Sequence, residues 1–386
     1  MPDARPTRRL TLPAIAVAVV LSATVLVTGV PPHLWLSVVW SGACLVAMIA
    51  ATTVARRALW FNAAVVLAAV AVLEGYAAYT SGTAERRQTW SNPQSLFARD
   101  DALGHRPPPG HVTDSQLWYG DELIYDVTYT IDDDGLRIAP PTAGLAANEP
   151  CVLFFGGSYT FGEGVNDDQT MPWLVAVLGG HRYQVRNFGF AGYGPHQMLA
   201  AIESGLVERV ARCTPRYAVY QAHPHHLLRA AGKWWWDEHG PRYELDAGGE
   251  VTRNGNFDDD ATLSPLADSE VARRLSDSIE PAVEDVELLN AIVQESHRLL
   301  ERLYPGIEFH VLYWDVGPPW LFDDKRTAAG LRVHRLSAVL PHWDRWEQLY
   351  TFDHDVHPTP RAHFIIARHV IDRVLPASAS HARTEH

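Results

Sequence analysis

Residues Cys151-Val-Leu-Phe-Phe155 form an unbroken apolar run that stops at Gly156-Gly157, and Ser158 follows at once. A short run of β-forming residues closed by glycine reads as a strand buried on both faces. That restricts the chain to a sheet covered by helices on both sides. Strand, glycine turn and serine place a hydroxyl just beyond the carboxyl end of a strand, where open α/β sheets bind ligands. Gly162 and Gly164 keep the next turn open, and Asp167-Asp168-Gln169 makes an acidic start for a helix through Trp173-Leu174-Val175. A phosphate cradle is the other use of such a turn, but the P-loop lysine and the Gly-x-Gly-x-x-Gly spacing are both absent.

A serine hydroxyl is a poor nucleophile until a base takes its proton. Far downstream, Phe352-Asp353-His354-Asp355-Val356-His357-Pro358 holds a histidine flanked by carboxylates, just before a helix predicted to start near Pro360. His357 is the candidate base. Asp355 is the candidate orienting carboxylate, because two residues of offset in a tight turn still reach a ring nitrogen, and Asp353 is the alternative.

These blocks, in this order, resemble those of the SGNH (GDSL-like) hydrolases. The first is a strand ending in Gly-Asp-Ser with a trailing glycine, here Gly156-Gly157-Ser158-Tyr159-Thr160-Phe161-Gly162. The second is an Asn with a Gly a few residues on, here Asn187-Phe188-Gly189-Phe190-Ala191-Gly192. The last is an Asp shortly before a His, here Asp355-Val356-His357-Pro358. The resemblance covers roughly residues 148–376. It implies a three-layer α/β/α, flavodoxin-like domain and a serine esterase that forms an acyl-Ser158 intermediate. It also implies an oxyanion hole built from the N–H of Ser158 and that of Gly192, with Gly189 as the alternative.

The family's third oxyanion donor is an Asn in a Gly-x-Asn-Asp block, and this chain lacks that block. Gln221-Ala222-His223-Pro224-His225-His226 stands in its place, and Gln221 and His223 are the candidates for that donor. The three histidines raise zinc as an alternative, but their spacing around a proline matches no ligand pattern, and no metal or cofactor is expected. Residues 232–262 read as an insertion beside the site, opening with Lys233-Trp234-Trp235-Trp236-Asp237 and continuing as a hairpin. Trp234 and Trp235 are candidates for the wall of a substrate cleft, as is Asp315 at the end of a later strand; burial at the base of the insertion is the plainer reading of the tryptophans.

Beyond Ser158, strands predicted at 184–188, 217–221 and 308–314 alternate with helices predicted at 171–178, 195–211, 283–303 and 360–374. Such alternation makes βαβ units and a parallel sheet. A net charge of −13 argues against nucleic acid as a partner. Cys151 and Cys213 each stand at a strand of this sheet. Two buried free thiols are the expectation, and a disulfide in an oxidising compartment is the alternative.

Ahead of this domain, three apolar runs at about 10–30, 34–55 and 58–79 each reach the roughly 20 residues that span a bilayer. A cleaved signal peptide accounts for the first run alone. Arg5, Arg8 and Arg9 before the first run and Arg56-Arg57 between the second and third mark the cytoplasmic side, which sends everything after Tyr79 out of the cytoplasm. Residues 1–80 are therefore predicted as a membrane region and 81–147 as a linker with a small β-hairpin. In that hairpin Ile124–Ile131 turns at Asp133-Asp134-Gly135 into Leu136–Ile138. Residues 148–376 form the catalytic domain, and 377–386 a disordered tail. The whole reads as a multi-pass protein of a bacterial cytoplasmic membrane. It would hydrolyse or transfer an acyl group, most simply acetyl, on an ester-bearing substrate such as a cell-surface polysaccharide. A non-catalytic glycan-binding or assembly protein that keeps the fold is the alternative.

Overall fold

A computed structural model describes residues 42–47, 49–50, 53–85, 88–91, 96–141, 150–234, 237, 239–259, 281–316, 321–322 and 331–375. The chain divides into two compact units, Met1–Arg86 with Ala261–Ser278, and Arg87–Asp260 with Ile279–His386.

In the first unit a helix runs over Val54–Glu85. Leu59, Val66, Val72 and Tyr76 are exposed on it, while Ala64, Glu74 and Ala77 are buried. Among the described residues this one helix, not three, is long and apolar enough to cross a bilayer. The run at 10–30 and half of that at 34–55 lie outside the described residues, as does the tail at 377–386.

The second unit is built on a five-stranded parallel sheet. Its order is Arg332–Arg335, Glu308–Tyr313, Thr214–Ala222, Pro150–Gly156, Gln184–Asn187. Counted along the chain this is the flavodoxin-like order 2-1-3-4-5, as the family resemblance implies. Strand alternation divides the core in two. Val152 and Phe154 pack with Val185, Val219 and Leu312 on one face, under Met171 and Val175 of the Met171–Leu178 helix and Ile366 of Pro360–His369. Leu153 and Phe155 pack with Ala218, Tyr220 and Val311 on the other, under Met198 and Leu199 of Pro195–Glu203 and Leu289 and Ile292 of Val283–Leu303. Both faces are covered, which is why the strands read as continuous apolar runs.

Several expectations change. The helix predicted over 195–211 breaks at Ser204-Gly205, where Gly205 takes φ +68°, and restarts as Leu206–Ala211. Arg332–Arg335 adds an edge strand without a sequence signal. Cys151 and Cys213 are joined in a disulfide, not left as free thiols, because the two strands are direct neighbours and bring the Cα atoms to 6.0 Å. Closing a loop of 62 residues contributes about 4 kcal/mol in the chain-entropy account.

The segment read as a linker also carries structure. Gln88–Ser91, Val112–Tyr119 and Glu122–Thr130 form an antiparallel sheet. The chief partner of Glu122–Thr130 is therefore Val112–Tyr119, while the predicted Asp-Gly turn forms beyond it, with Gly135 N–H donating to Asp132 O at 3.0 Å and Asp132 N–H to Leu136 O at 2.8 Å, and Ile131 bridged to Arg137. A second bridge, Arg137 to Asn187, sets this hairpin on the edge of the main sheet. In the insertion, Pro241–Leu245 pairs with Val251–Asn256 as the expected hairpin.

Candidate active site

The sheet reverses its winding between Pro150–Gly156 and Thr214–Ala222, and the carboxyl ends of these two strands supply opposite walls of one crevice. Ser158 opens a one-turn helix, Ser158–Phe161, directly after the first strand. The turn depends on Gly156. It sits at φ +149°, and a Cβ there would come within 2.2 Å of Thr160 Oγ1 and 3.0 Å of Gln221 O. No side chain fits between the two strand ends.

The histidine arrives from the far end of the chain on a turn closed by a Thr351–Pro358 bridge and by Phe352 N–H donating to His357 O at 3.2 Å. His354 takes the left-handed conformation, φ +61°, and swings the next residue back toward the ring. Asp355 Oδ1 and Oδ2 both lie 3.0 Å from His357 Nδ1. Tyr159, beside the serine, donates its hydroxyl to Val356 O at 2.7 Å and ties this turn to the serine turn. Asp353 is exposed and holds no place at the ring.

Glu163 meets the other ring nitrogen: its Oε2 lies 3.4 Å from His357 Nε2. Burial would lower the imidazole's pKa, but the Glu163 and Asp355 carboxylates outweigh it and raise His357 to about 9. Burial, helped by the charge of Asp355, raises the Glu163 carboxyl above its ordinary range against the pull of His357. The Glu163 turn is held by a buried guanidinium. Arg137 donates to Phe161 O at 3.2 Å, Gly162 O at 3.1 Å and Val165 O at 2.9 Å, and pairs with Asp167 at 2.8 Å.

The donor positions sort themselves. Gly189 N–H donates to Asn187 Oδ1 at 3.0 Å, so the alternative oxyanion donor is already committed. Gly192 sits at φ +87°, and the carbonyl of the next residue, Tyr193, lies 2.8 Å from where a Cβ on Gly157 would begin. Gln221 is buried; Thr160 Oγ1 donates to its Oε1 at 2.9 Å, while its Nε2 has no hydrogen-bond partner among the described residues. His225 N–H donates to His223 Nδ1 at 3.2 Å, which leaves the His223 proton on Nε2.

Ser158, Gln221, His223, His226, Arg229, Trp234 and His357 are among the walls of a cavity of about 220 Å³. Arg229 Nη1 donates to Tyr193 O at 2.9 Å. It lies 3.0 Å, and His226 Nε2 3.1 Å, from the Cβ position of Gly157. Burial holds His223 and His226 well below the usual imidazole range, so both are neutral. The charge facing the cavity is therefore that of the guanidinium and of His357.

Trp234 reaches the cavity and Trp235 lies outside the described residues. Asp315 does not reach it; its carboxylate accepts from Ser337 N–H at 2.9 Å and from the Ser337 hydroxyl, and caps the turn at Leu336–Ala338. Among the described residues, no group of three His, Cys, Asp or Glu has the geometry to hold a metal ion. Three polar residues at the site went unread: Glu163, Arg137 and Arg229. Only Glu163 carried a signal, a carboxylate set between two glycines directly after the serine turn.

No protein-family model matches the chain, and no curated protein does. Among solved structures it is similar to an acetyl xylan esterase from the rumen bacterium Butyrivibrio proteoclasticus. That match has 11% identity and a TM-score of 0.34, and covers 59% of this chain and 64% of the esterase. A lipolytic protein of the G-D-S-L family from Desulfitobacterium hafniense matches at 12% identity and TM-score 0.30, over 58% of this chain and 98% of that one. A carbohydrate esterase family 2 enzyme with a carbohydrate-binding domain, from Corynascus thermopiles, matches at 13% identity and TM-score 0.29, over 67% and 72% of the two chains.

Proposed function

We propose that this chain is a serine esterase of SGNH type. Ser158 Oγ attacks the ester carbonyl carbon and its proton passes to His357 Nε2. The tetrahedral intermediate collapses to acyl-Ser158, and His357 returns the proton to the departing alkoxide. Water then releases the acid, or a sugar hydroxyl accepts the acyl group. Asp355 holds Nδ1–H and stabilises the imidazolium formed in each half-reaction. The N–H groups of Ser158 and Gly192 and the Nε2 of Gln221 face the developing oxyanion.

What carries this reading is the shared cavity, with Ser158 on one wall and His357, backed by Asp355, on another. It lies at the topological switch point, where sheets of this order bind ligands. An orphaned amide donor at Gln221, pinned by Thr160, supports it further. The substrate is an acyl ester, most simply acetyl, on an extracytoplasmic glycan. Support for this placement comes from the apolar helix at Val54–Ala77 and from Arg56 and Arg57 in its first turn.

Hydrolysis of p-nitrophenyl acetate by the full chain, beside Ser158→Ala and His357→Ala, tests the reading. Turnover lost in both folded variants, with fluorophosphonate labelling of Ser158 in the parent, is the expected result. A parent with neither turnover nor label would overturn it in favour of a binding protein that keeps the fold.

A further inference from the structure

We propose that Glu163 is a positioning carboxylate of this site: it competes with Ser158 for Nε2 of His357 and latches the ring in an ion-paired resting form. The inference rests on the roles assigned above to Ser158 and His357.

The ring is held from both ends, by Asp355 at Nδ1 at 3.0 Å and by Glu163 at Nε2 at 3.4 Å. An imidazole set between two carboxylates, one at each nitrogen, is stabilised as the cation, and in that form Nε2 has no lone pair to take a serine proton. The other titratable groups facing His357 do not supply the second acceptor. Arg229 opposes the imidazolium, and Tyr159 meets the ring face to edge, with centroids 5.6 Å apart. Burial keeps His223 and His363 neutral.

The placement of Glu163 is built rather than incidental. Its N–H donates to Ser158 O at 3.0 Å. The glycines on either side stand at φ +86° and +83°, a conformation costly for other residues, so the carboxylate is presented at the tip of a sharp turn. Gly164 N–H donates to Tyr129 Oη at 2.9 Å, and a Cβ at 164 would come within 2.7 Å of Phe352 on the histidine turn. The two turns interlock at the backbone, which keeps the glutamate beside the histidine while leaving its side chain to turn toward or away from Nε2.

The latch is the proton on Nε2. When it leaves to solvent base, a lone pair faces a carboxylate and the two repel. Glu163 then withdraws, and the Ser158 hydroxyl donates to Nε2 in its place. The acyl-transfer steps follow unchanged: the Ser158 proton goes to Nε2 as the O–C bond forms, and to the alkoxide as the ester C–O bond breaks. Glu163 gains and loses nothing over the cycle.

The test uses the full chain and Glu163→Gln. Exchange of the imidazole C2 hydrogen, followed by mass spectrometry across pH, reads the titration of His357 without any substrate. The midpoint should fall by about one pH unit or more in the variant, the size of a lost neighbouring charge. The rising limb of kcat/KM for p-nitrophenyl acetate should move the same way, so that Glu163→Gln is the faster enzyme near neutral pH. Glu163→Asp, which keeps the charge and shortens the reach, should fall between and serves where Glu163→Gln does not fold. An unmoved His357 midpoint overturns the proposal, as does a variant that is slower at every pH with its limb unmoved. A parent that neither turns over ester nor labels at Ser158 sinks the esterase reading instead, while the His357 titration still decides the role of Glu163.

Discussion

Asp355 approaches His357 with both carboxylate oxygens at 3.0 Å from Nδ1, although a single residue separates the two in the chain. The left-handed His354 turns the aspartate inward and leaves Val356 pointing to solvent. Asp355 Oδ1 also accepts the Val356 N–H at 2.8 Å, which fixes the carboxylate against the backbone of its own turn. A symmetric acceptor at Nδ1 fixes the tautomer that a base at Nε2 requires.

Asp355→Asn is therefore expected to lower kcat by roughly a thousandfold or more, since an amide can donate to Nδ1 and select the wrong tautomer. Asp353→Asn, at an exposed position, should leave kcat within about twofold. Initial rates on a chromogenic ester compare the two. Equal losses would move the orienting role away from Asp355.

Gln221 stands where the resembled family places an asparagine. Thr160 fixes its oxygen and leaves its Nε2 without a hydrogen-bond partner among the described residues. An oxyanion donor acts in the transition state rather than on bound substrate. Gln221→Ala is thus expected to cost kcat about 100-fold with little change in KM. Thr160→Val, which frees the amide to rotate, should give a smaller loss of the same kind. A Gln221→Ala enzyme with normal kcat would return the donor role to His223.

Arg137 carries the polar scaffolding of the Glu163 turn. Its side chain is wholly buried and paired with Asp167, and it sits 4.4 Å over the Tyr129 ring. Removing one partner of a buried pair leaves the other uncompensated, so Arg137→Met is expected to cost on the order of 3–5 kcal/mol in urea unfolding. The loss should fall on the Gly162–Val165 turn first and appear as early hydrogen exchange there. A surface-sized loss, under about 0.5 kcal/mol, would show that the turn holds itself.

The serine strand was readable because Cys151–Phe155 is apolar without a break and glycine cuts it off. Asp355 and His357 were readable because they sit together in one short turn. What escaped reading depended on a partner distant in the chain. Arg137 looks like the polar end of a hairpin, and only the bridge to Asn187 turns it inward. Glu163 was visible between its glycines, but its target arrives with the last helix. Arg332–Arg335 pairs on one side only, with Glu308–Tyr313, so an edge strand of this composition shows no period. The disulfide followed from strand order, which spacing cannot supply.

Stability against pH should peak near 6.5, because buried histidines act in opposite directions. His363 accepts the Met171 N–H at Nδ1 at 3.0 Å and is pushed down to about 3 by burial, then by Arg137 and His357. His310 is pushed down to about 3 by burial, then by His334 and Arg332. Below the ordinary value of 6.5 the unfolded chain protonates both rings while the native state does not. Each therefore removes about 1.4 kcal/mol of stability per pH unit on the acid side. Glu163 opposes them: its raised carboxyl keeps a proton that the unfolded chain loses above 4.5, but one group does not cancel two. His357 has the contrary shift. Raised to about 9, it contributes fully below 6.5, and that contribution is lost as pH rises through 9. Thermal midpoints of the full chain from acid to alkaline pH should fall on both sides of the peak. His363→Asn, which keeps an acceptor for Met171 but cannot titrate, should flatten the acid limb. Glu163→Gln should flatten the alkaline limb, because it removes the charge that raises His357. An acid limb as steep in His363→Asn as in the parent would mean that other groups drive the acid transition.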